Sequence, residues 1–176
     1  MTVFFYAIRH KWFVFLECAR VALQLKRPYL LWRGLTHDID KFSPSMLKAY
    51  QERFSGDIST GRDSTGYYNP HKDSTENFQR AFLRHIRRND HHWQWYVEAT
   101  EEGERVHPME QDAVLEMVCD WCGAARAQKQ TPQPHVWFFA NKDKMRIHNH
   151  TLELIVRELS RRCPPPTCLE YRRVEQ

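Results

Sequence analysis

The spacing of the apolar residues constrains this chain more than any other feature. Within residues 2–25 one series recurs at intervals of three and four positions, the spacing of a single face of an α-helix. Its members are Phe5, Ile8, Trp12, Leu16, Ala19 and Leu23. Because Tyr6, Phe13 and Val14 widen the apolar surface, we expect this helix to be buried on more than one side. Residues 109–127 carry a second apolar stripe and predict another long helix.

Similar patterns predict shorter helices elsewhere, and the sequence has no convincing series of strands. Ser43 and Pro44 begin one helix, as N-cap and first helical residue, which extends to about Phe54. Further helices are predicted over residues 75–88, 91–101, 134–145 and 150–162. Residues 55–75 hold three of the six glycines and predict a long loop. We therefore expect an all-α fold, with one helical domain at 1–162 that includes this loop, and a proline-rich tail at 163–176.

Length and charge exclude several classes of protein. The 176 residues fit one domain. The net charge of +4 suits an anionic ligand, but the basic runs are shorter than those of strong nucleic-acid binders. Arg9, His10 and Lys11 interrupt the apolar N-terminal stretch, so we expect neither a membrane span nor a signal peptide. Five cysteines, an odd number, indicate a reducing compartment such as the cytoplasm.

Histidines and carboxylates are concentrated at positions that suggest chemistry. Residues 36–42 read Thr-His-Asp-Ile-Asp-Lys-Phe, which places an imidazole, two carboxylates and an ammonium within five positions. Asp120 lies at the edge of the stripe in 109–127, one helical turn after Glu116. Burying its charge is costly unless a cation is paired with it or bound to it. Two explanations are open: a metal centre that handles phosphate, or surface charges with a salt bridge from Asp120 to an arginine.

The order of these residues resembles the HD-domain superfamily of metal-dependent phosphohydrolases. The resemblance implies that one divalent ion is held by His10, His37, Asp38 and Asp120. It also implies that intervening histidines hold a second ion, and the candidates are His85, His91 and His92. Lys41 matches the lysine of the HD-x-x-K variant, which faces a substrate phosphate, whereas Asp40 stands where an apolar or small residue is usual.

A closer resemblance, over residues 6–155, is to a family of small bacterial and phage proteins. It is carried by the stretches "IRHKWFVFLECAR", "WRGLTHDIDKF", "HIRRNDHHWQWY", "EMVCDWCGAARA" and "NKDKMRIHNHT". Membership implies an HD-like arrangement of helices and a cytoplasmic protein of a bacterium or a phage-infected host.

The resemblance implies hydrolysis of a phosphomonoester or phosphoanhydride, with a nucleotide as the expected substrate. Imidazole and carboxylate ligands suit one or two ions of Mn, Fe, Co, Ni or Zn, and Mg is also allowed. The residues expected to act in catalysis are Lys41, His85 and His92, and a histidine is the expected acid for the leaving group. The expected substrate contacts are Lys41, Arg84 and Arg88. Asp40 or Glu116 could orient the ligands.

Several assignments have alternatives. On one helix His91 and His92 would diverge by about 100°, so we expect one of them to lie outside the site. His10 could instead be a core histidine paired with Glu17. The other histidines expected at caps or on the surface are His107, His135, His148 and His150. The cysteines that could form a structural zinc site, or else remain half-buried thiols, are Cys119, Cys122, Cys163 and Cys168.

Two other functions fit the sequence: a non-catalytic binding or inhibitor protein of the phage type, and a helical nucleic-acid-binding domain. The sequence predicts no oligomeric state.

Overall fold

Two long helices form the centre of the fold. The computed structural model describes residues 3–54, 61–128 and 133–162. Helix α1 (Val3–Leu25) packs along α5 (Gln111–Gln128). Their backbones approach closely at Gly123, where a β-carbon would lie 2.6 Å from Val14 Cγ2. A side chain at position 123 would therefore push the two helices apart.

Shorter elements surround this pair. In chain order they are α2 (Tyr29–Thr36), a 3₁₀ turn (Ile39–Phe42), α3 (Pro44–Phe54), α4 (Glu76–Ile86), a 3₁₀ turn (Trp93–Tyr96), β1 (Val97–Thr100), β2 (Gly103–Val106), α6 (Pro134–Asn141), a 3₁₀ turn (Lys142–Lys144) and α7 (Asn149–Arg162). Helix α2 lies against α1, α3 against α4, and both α6 and α7 against α5. Met117, Phe138 and Ile155 are buried together in the largest apolar cluster.

The prediction of a mostly helical single domain is confirmed, and the predicted helix ends differ from those observed by a few residues. Helix α2 was not predicted, and it begins directly after Pro28. The boundary at residue 162 stays a prediction, because the tail at 163–176 lies outside the described residues, as does the 55–60 part of the predicted loop.

The helix predicted over residues 91–101 is wrong. This segment forms a 3₁₀ turn and then β1, which pairs with β2 in an antiparallel hairpin that places Val97 opposite Val106. β-Branched residues favour strands, and Gly103, with φ of +122°, adopts a backbone conformation that other residues rarely take.

The expectation that the apolar stripe at positions 5–23 of α1 is buried is wrong, although Val14, which was expected to widen the apolar surface, is buried. Val14, Cys18 and Val21 are the residues packed against α5, whereas Ile8, Trp12 and other members of the predicted stripe are exposed. Both sides of the helix are apolar, so the spacing of the stripe could not decide which side is buried. No helix among the described residues has the length and apolar character needed to cross a membrane.

Candidate metal centre

The His37–Asp38 doublet lies where α2 ends. Its backbone leaves the helix at His37 and turns into the left-handed region at Asp38, with φ of +51°. Residues other than glycine rarely adopt this conformation, although Asp tolerates it better than most. The Lys11 Nζ donates a hydrogen bond of 2.6 Å to the His37 carbonyl. As a result both side chains of the doublet are buried between α1, α4 and α5.

One oxygen of Asp38 faces His10 and His37, and both of these histidines also lie near Asp120. We call Asp38 Oδ2, His10, His37 and Asp120 the first ligand set. The Asp120 Oδ1 lies 3.0 Å from His10 Nε2 and 3.5 Å from His37 Nε2. The Asp38 Oδ2 lies 3.4 Å from His37 Nε2 and 3.9 Å from His10 Nε2. Residues separated by more than a hundred positions therefore converge, as the resemblance implied.

The other oxygen of Asp38 faces three histidines. We call Asp38 Oδ1, His85, His91 and His92 the second ligand set. The Nε2 atoms of His85 and His91 each lie 3.4 Å from Asp38 Oδ1, and the Nε2 atoms of His85 and His92 are 2.8 Å apart. Two nitrogen ligands at right angles on one ion would be roughly 3 Å apart, given metal–nitrogen distances of about 2.1 Å.

The expectation that His91 or His92 would lie outside the site is wrong. Helix α4 ends at Ile86, and His92 has an extended backbone with ψ of 129°. Neighbouring side chains diverge by about 100° only within a helix, so this non-helical segment can direct both imidazoles towards Asp38.

Carboxylates behind the histidines fix their orientation. Glu116 Oε1 lies 2.8 Å from His37 Nδ1 and 3.2 Å from His91 Nδ1. Asp40 Oδ2 lies 2.9 Å from His85 Nδ1. Each Nδ1–H can therefore donate to a carboxylate, which leaves the Nε2 lone pair directed towards Asp38; metal-binding histidines commonly have this arrangement. Asp40 and Glu116 therefore contact histidines of the two ligand sets, as residues that orient the ligands would.

An arginine and an asparagine hold these carboxylates in turn. Arg33 Nε donates to Glu116 Oε2 at 2.5 Å, and the same guanidinium pairs with Asp90. Asn89 Nδ2 donates to Asp40 Oδ1 at 3.2 Å. Neither contact could be predicted from the sequence, because both join segments far apart in the chain.

Several polar atoms at the centre have no hydrogen-bond partner within the described residues. They include His37 Nε2, His91 Nε2 and Asp38 Oδ1. Burying such atoms without partners is costly, and a cation at each ligand set would provide the missing partners. The donor atoms of His10, His37 and Asp120 lie within 4.8 Å of one another, and so do those of the second ligand set. The protein therefore contains buried clusters that could hold a metal ion.

The pKa values differ between the histidines. Burial lowers the pKa of His37, but Asp38 and Asp120 outweigh it and raise the pKa to about 10. Burial and the neighbouring His91 hold the pKa of His92 well below its usual value. Burial and Lys41 likewise lower the pKa of His85. His85 and His92 are therefore neutral imidazoles at neutral pH, the form that binds metals.

Lys41 adds a fixed positive charge beside Asp38. Its Nζ lies 2.6 Å from Asp38 Oδ2 and 5.6 Å from the centre of the Tyr50 ring. Burial lowers the pKa of Lys41, but Asp38 more than compensates, so the net shift is upward and the ammonium stays charged.

A cavity of about 290 Å³ opens onto both ligand sets. His10, Asp120, His85 and His92 line its floor together with Lys41. Its walls are rich in aromatic rings, which are Tyr6, Phe42, Tyr50, Phe54, Tyr67, Tyr68, Phe82, Trp93, Trp121 and Trp137. The described part of the predicted loop supplies two of these rings and also Arg62.

The predicted substrate contacts Arg84 and Arg88 do not lie in this cavity. Both are exposed and line a separate depression with Arg87, because they lie on the solvent side of the segment whose buried residue is His85. The arginine that lines the cavity is Arg62, and sequence reasoning missed it because a loop residue follows no periodic pattern.

The remaining histidines are mostly placed as expected. Glu17 accepts from Arg126 at 2.7 Å, so it is not the partner of His10. His107 is exposed beside Glu98, and His148 accepts from the backbone of His150 at the start of α7. His135 differs from the expectation because it is buried.

The zinc site proposed for four cysteines stays a prediction. Cys119 is buried in α5, and Arg162 Nη1 donates to its Sγ at 3.0 Å. Cys163 and Cys168 lie outside the described residues.

These observations define a mostly helical protein with a buried histidine and carboxylate centre that could bind metal beside an aromatic cavity. The chain belongs to the family described as "Family of unknown function (DUF5662)", whose model matches residues 1–161. Comparison with curated proteins and with solved structures gives no match.

Proposed function

We propose that this protein is a phosphohydrolase that uses two divalent metal ions and acts on a phosphomonoester or phosphoanhydride, with a nucleotide as substrate. The observation that carries the proposal is the position of Asp38, whose two oxygens face different ligand sets. A carboxylate shared in this way suits two neighbouring ions, and paired ions are a common device for displacement at phosphorus. The order of the ligands along the chain, which resembles the HD-domain superfamily, adds support.

The donor types favour particular metals. Five imidazoles and two carboxylates make up the two ligand sets, and such mixtures suit Mn, Fe, Co, Ni or Zn better than Mg, which prefers oxygen ligands and water.

The residues around the ligands have separate roles in the proposed reaction. When bound, the ions would supply an activated water near neutral pH and neutralise phosphoryl charge. Lys41 would hold the phosphoryl group as a point charge, since its ammonium stays protonated. Arg62 is the second cation that lines the cavity and would bind a further phosphate oxygen. Glu116 and Asp40 would keep the histidines in the metal-binding tautomer.

His85 and His92 suit a ligand role better than the catalytic acid role expected from the sequence. Their imidazoles meet at Nε2, and the pKa of each is lowered by burial. A general acid must carry a proton at the operating pH, and these two would not.

The aromatic walls support a nucleotide rather than a small sugar phosphate. Tyr67 and Trp137 already lie in a stacked arrangement, with ring centres 6.4 Å apart, and Trp121 lies 5.3 Å from Trp137. Aromatic side chains bind flat bases by stacking, with little dependence on which base is present.

The test combines metal analysis with a substrate screen. The full chain would be purified without chelators, its metal content measured by mass spectrometry, and phosphate release followed over a panel of nucleotides and simple phosphate esters. Asp38→Asn should lose metal and activity, whereas Asp143→Asn, which changes an exposed carboxylate, should keep both. Metal without turnover of any substrate would favour a non-catalytic binding protein, and absence of metal would refute the proposal.

A further inference from the structure

One face of the α1–α2 pair is apolar and exposed. On α1, Ile8 and Trp12 are 44% and 57% exposed. On the adjacent α2, Trp32 and Leu35 are 58% and 54% exposed. Trp12 lies on the side of α1 roughly opposite His10, since side chains two residues apart on a helix point in directions about 200° apart. This exposed face is therefore separate from the side of α1 that contributes to the candidate metal centre.

The pattern differs from scattered surface apolar residues, which are common on any protein. Positions 5, 8, 12, 16, 19 and 23 of α1 are all apolar, and no charged residue interrupts the series. At 1.5 Å per residue the stripe is roughly 27 Å long. This spacing is typical of a helix whose apolar stripe packs against another surface along its whole length. The side of α1 that packs against α5 is, however, a different one.

We propose that a second copy of this chain covers this face and forms a symmetric dimer through α1 and α2. The exposed parts of the large apolar side chains on this face together amount to roughly 600 Å², if each such side chain has about 200 Å². They belong to Ile8, Trp12, Leu23, Trp32 and Leu35. That is the lower end of the area that each partner buries in a stable interface. Aromatic and other apolar residues are enriched at the core of homodimer interfaces, and a two-fold axis lets one apolar patch cover its own copy.

A membrane surface is a poorer occupant, on the basis of charge. Helices that lie on membranes present many free lysines and arginines beside their apolar face. Here Lys11 donates to the His37 carbonyl, Arg27 pairs with Asp112, and Arg33 pairs with two carboxylates. The opposite side of α1 is packed against the rest of the protein instead of facing water.

The test is the mass of the full chain in solution. Sedimentation over a range of protein concentrations should show a species of twice the 21.2 kDa of the chain. Trp12→Glu and Leu35→Glu should each raise the dimer dissociation constant about 100-fold or more, because buried interface anchors carry most of the affinity. The matched control is Phe139→Glu, which changes an aromatic residue that is 52% exposed on α6, outside this face, and it should leave the dimer intact.

Two results would overturn the proposal: a monomer at every concentration, or a dimer that survives both Trp12→Glu and Leu35→Glu. A monomer that floats with vesicles containing phosphatidylserine would overturn it in favour of a lipid surface. Circular dichroism checks that each variant is folded, and if one is not, the other decides the outcome. The experiment needs neither metal nor substrate, so it is independent of the proposed function.

Discussion

The two ligand sets share Asp38 but differ in how their other members are held. In the second ligand set, His85 and His91 are each fixed by a carboxylate at Nδ1. In the first ligand set only His37 is fixed in this way, by Glu116, and the buried Nδ1 of His10 has no hydrogen-bond partner within the described residues. The two ligand sets are therefore held differently, since more of the histidines in the second set contact a carboxylate at Nδ1.

The two sets also differ in charge. The first contains a second carboxylate, Asp120, and the pKa of its His37 is raised to about 10. In the second ligand set, burial and His37 lower the pKa of His91, but Asp38 and Glu116 outweigh them and raise it. Burial and nearby charges lower the pKa of the other two histidines, His85 and His92. A metal must displace a proton from His37 but finds neutral imidazoles at His85 and His92. We therefore expect the second ligand set to bind its ion more tightly.

The largest expected effect comes from the residue that the two sets share. Asp38→Asn removes the charge that faces both ions, so metal should be lost from both sets and phosphate release should fall to background. Metal content and turnover measure this directly. A variant that keeps two ions per chain would contradict the shared role of Asp38.

His10→Gln should separate the two sets. His10 belongs only to the first ligand set, so the variant should retain one ion per chain instead of two. Titration with Mn²⁺ or Co²⁺ followed by metal analysis gives the number. Loss of both ions, or retention of both, would contradict the assignment of His10 to the first ligand set alone.

Glu116→Gln should weaken both sets by a smaller amount. Glu116 holds His37 and His91, one in each set, and removal of such a partner typically costs 10–100-fold in metal affinity. Competition with a chelator measures the change. Thermal melting is the necessary control, because Arg33 would lose one of its two carboxylate partners.

Asp40→Asn should affect only one set. Asp40 contacts His85 of the second ligand set, so affinity there should fall about 10-fold while the first is unchanged. A calorimetric titration that resolves two binding steps would show a shift in the tighter step alone. An equal shift in both steps would contradict the assignment.

The smallest effect is a difference in pH dependence. Because the pKa of His37 is raised, its proton stabilises the metal-free protein below its unfolded pKa, and this contribution is lost as the pH rises through about 10. Protons therefore compete with metal at His37 of the first ligand set and also at His91 of the second, whose pKa is raised as well. Because His85 and His92 stay neutral, the first set should release its ion before the second as the pH falls from about 8 to about 6. Metal content after dialysis at each pH tests the order of release.

The sequence predicted the helices better than their orientation. Residues 109–127 and 150–162 show apolar residues at regular helical spacing, and α5 and α7 lie close to the predicted limits. α1 has two apolar sides, and only its contact with α5 decides which one is buried. The hairpin at 97–106 was missed because strands of four residues are too short to show a period of two.

The site was predicted through the order of its residues rather than from periodicity. His10, His37–Asp38 and Asp120 converge as the resemblance implied, and the roles of Asp40 and Glu116 were foreseen as alternatives. The placement of both His91 and His92 in the second ligand set could not be predicted, because residues 91–101 were predicted to form a helix. Arg62 comes from a loop, and its position in the lining of the same cavity as Lys41 depends on tertiary folding alone.

The proposal that Asp38 is shared by two metal ions is tested most directly by electron paramagnetic resonance of the full chain reconstituted with Mn²⁺. If Asp38 bridges two ions, the spectrum should show a spin-coupled pair at two equivalents, and Asp38→Asn should abolish the coupling. A spectrum of isolated, uncoupled Mn²⁺ at every loading, or no bound Mn²⁺ at all, would contradict the proposed sharing of Asp38 by two ions.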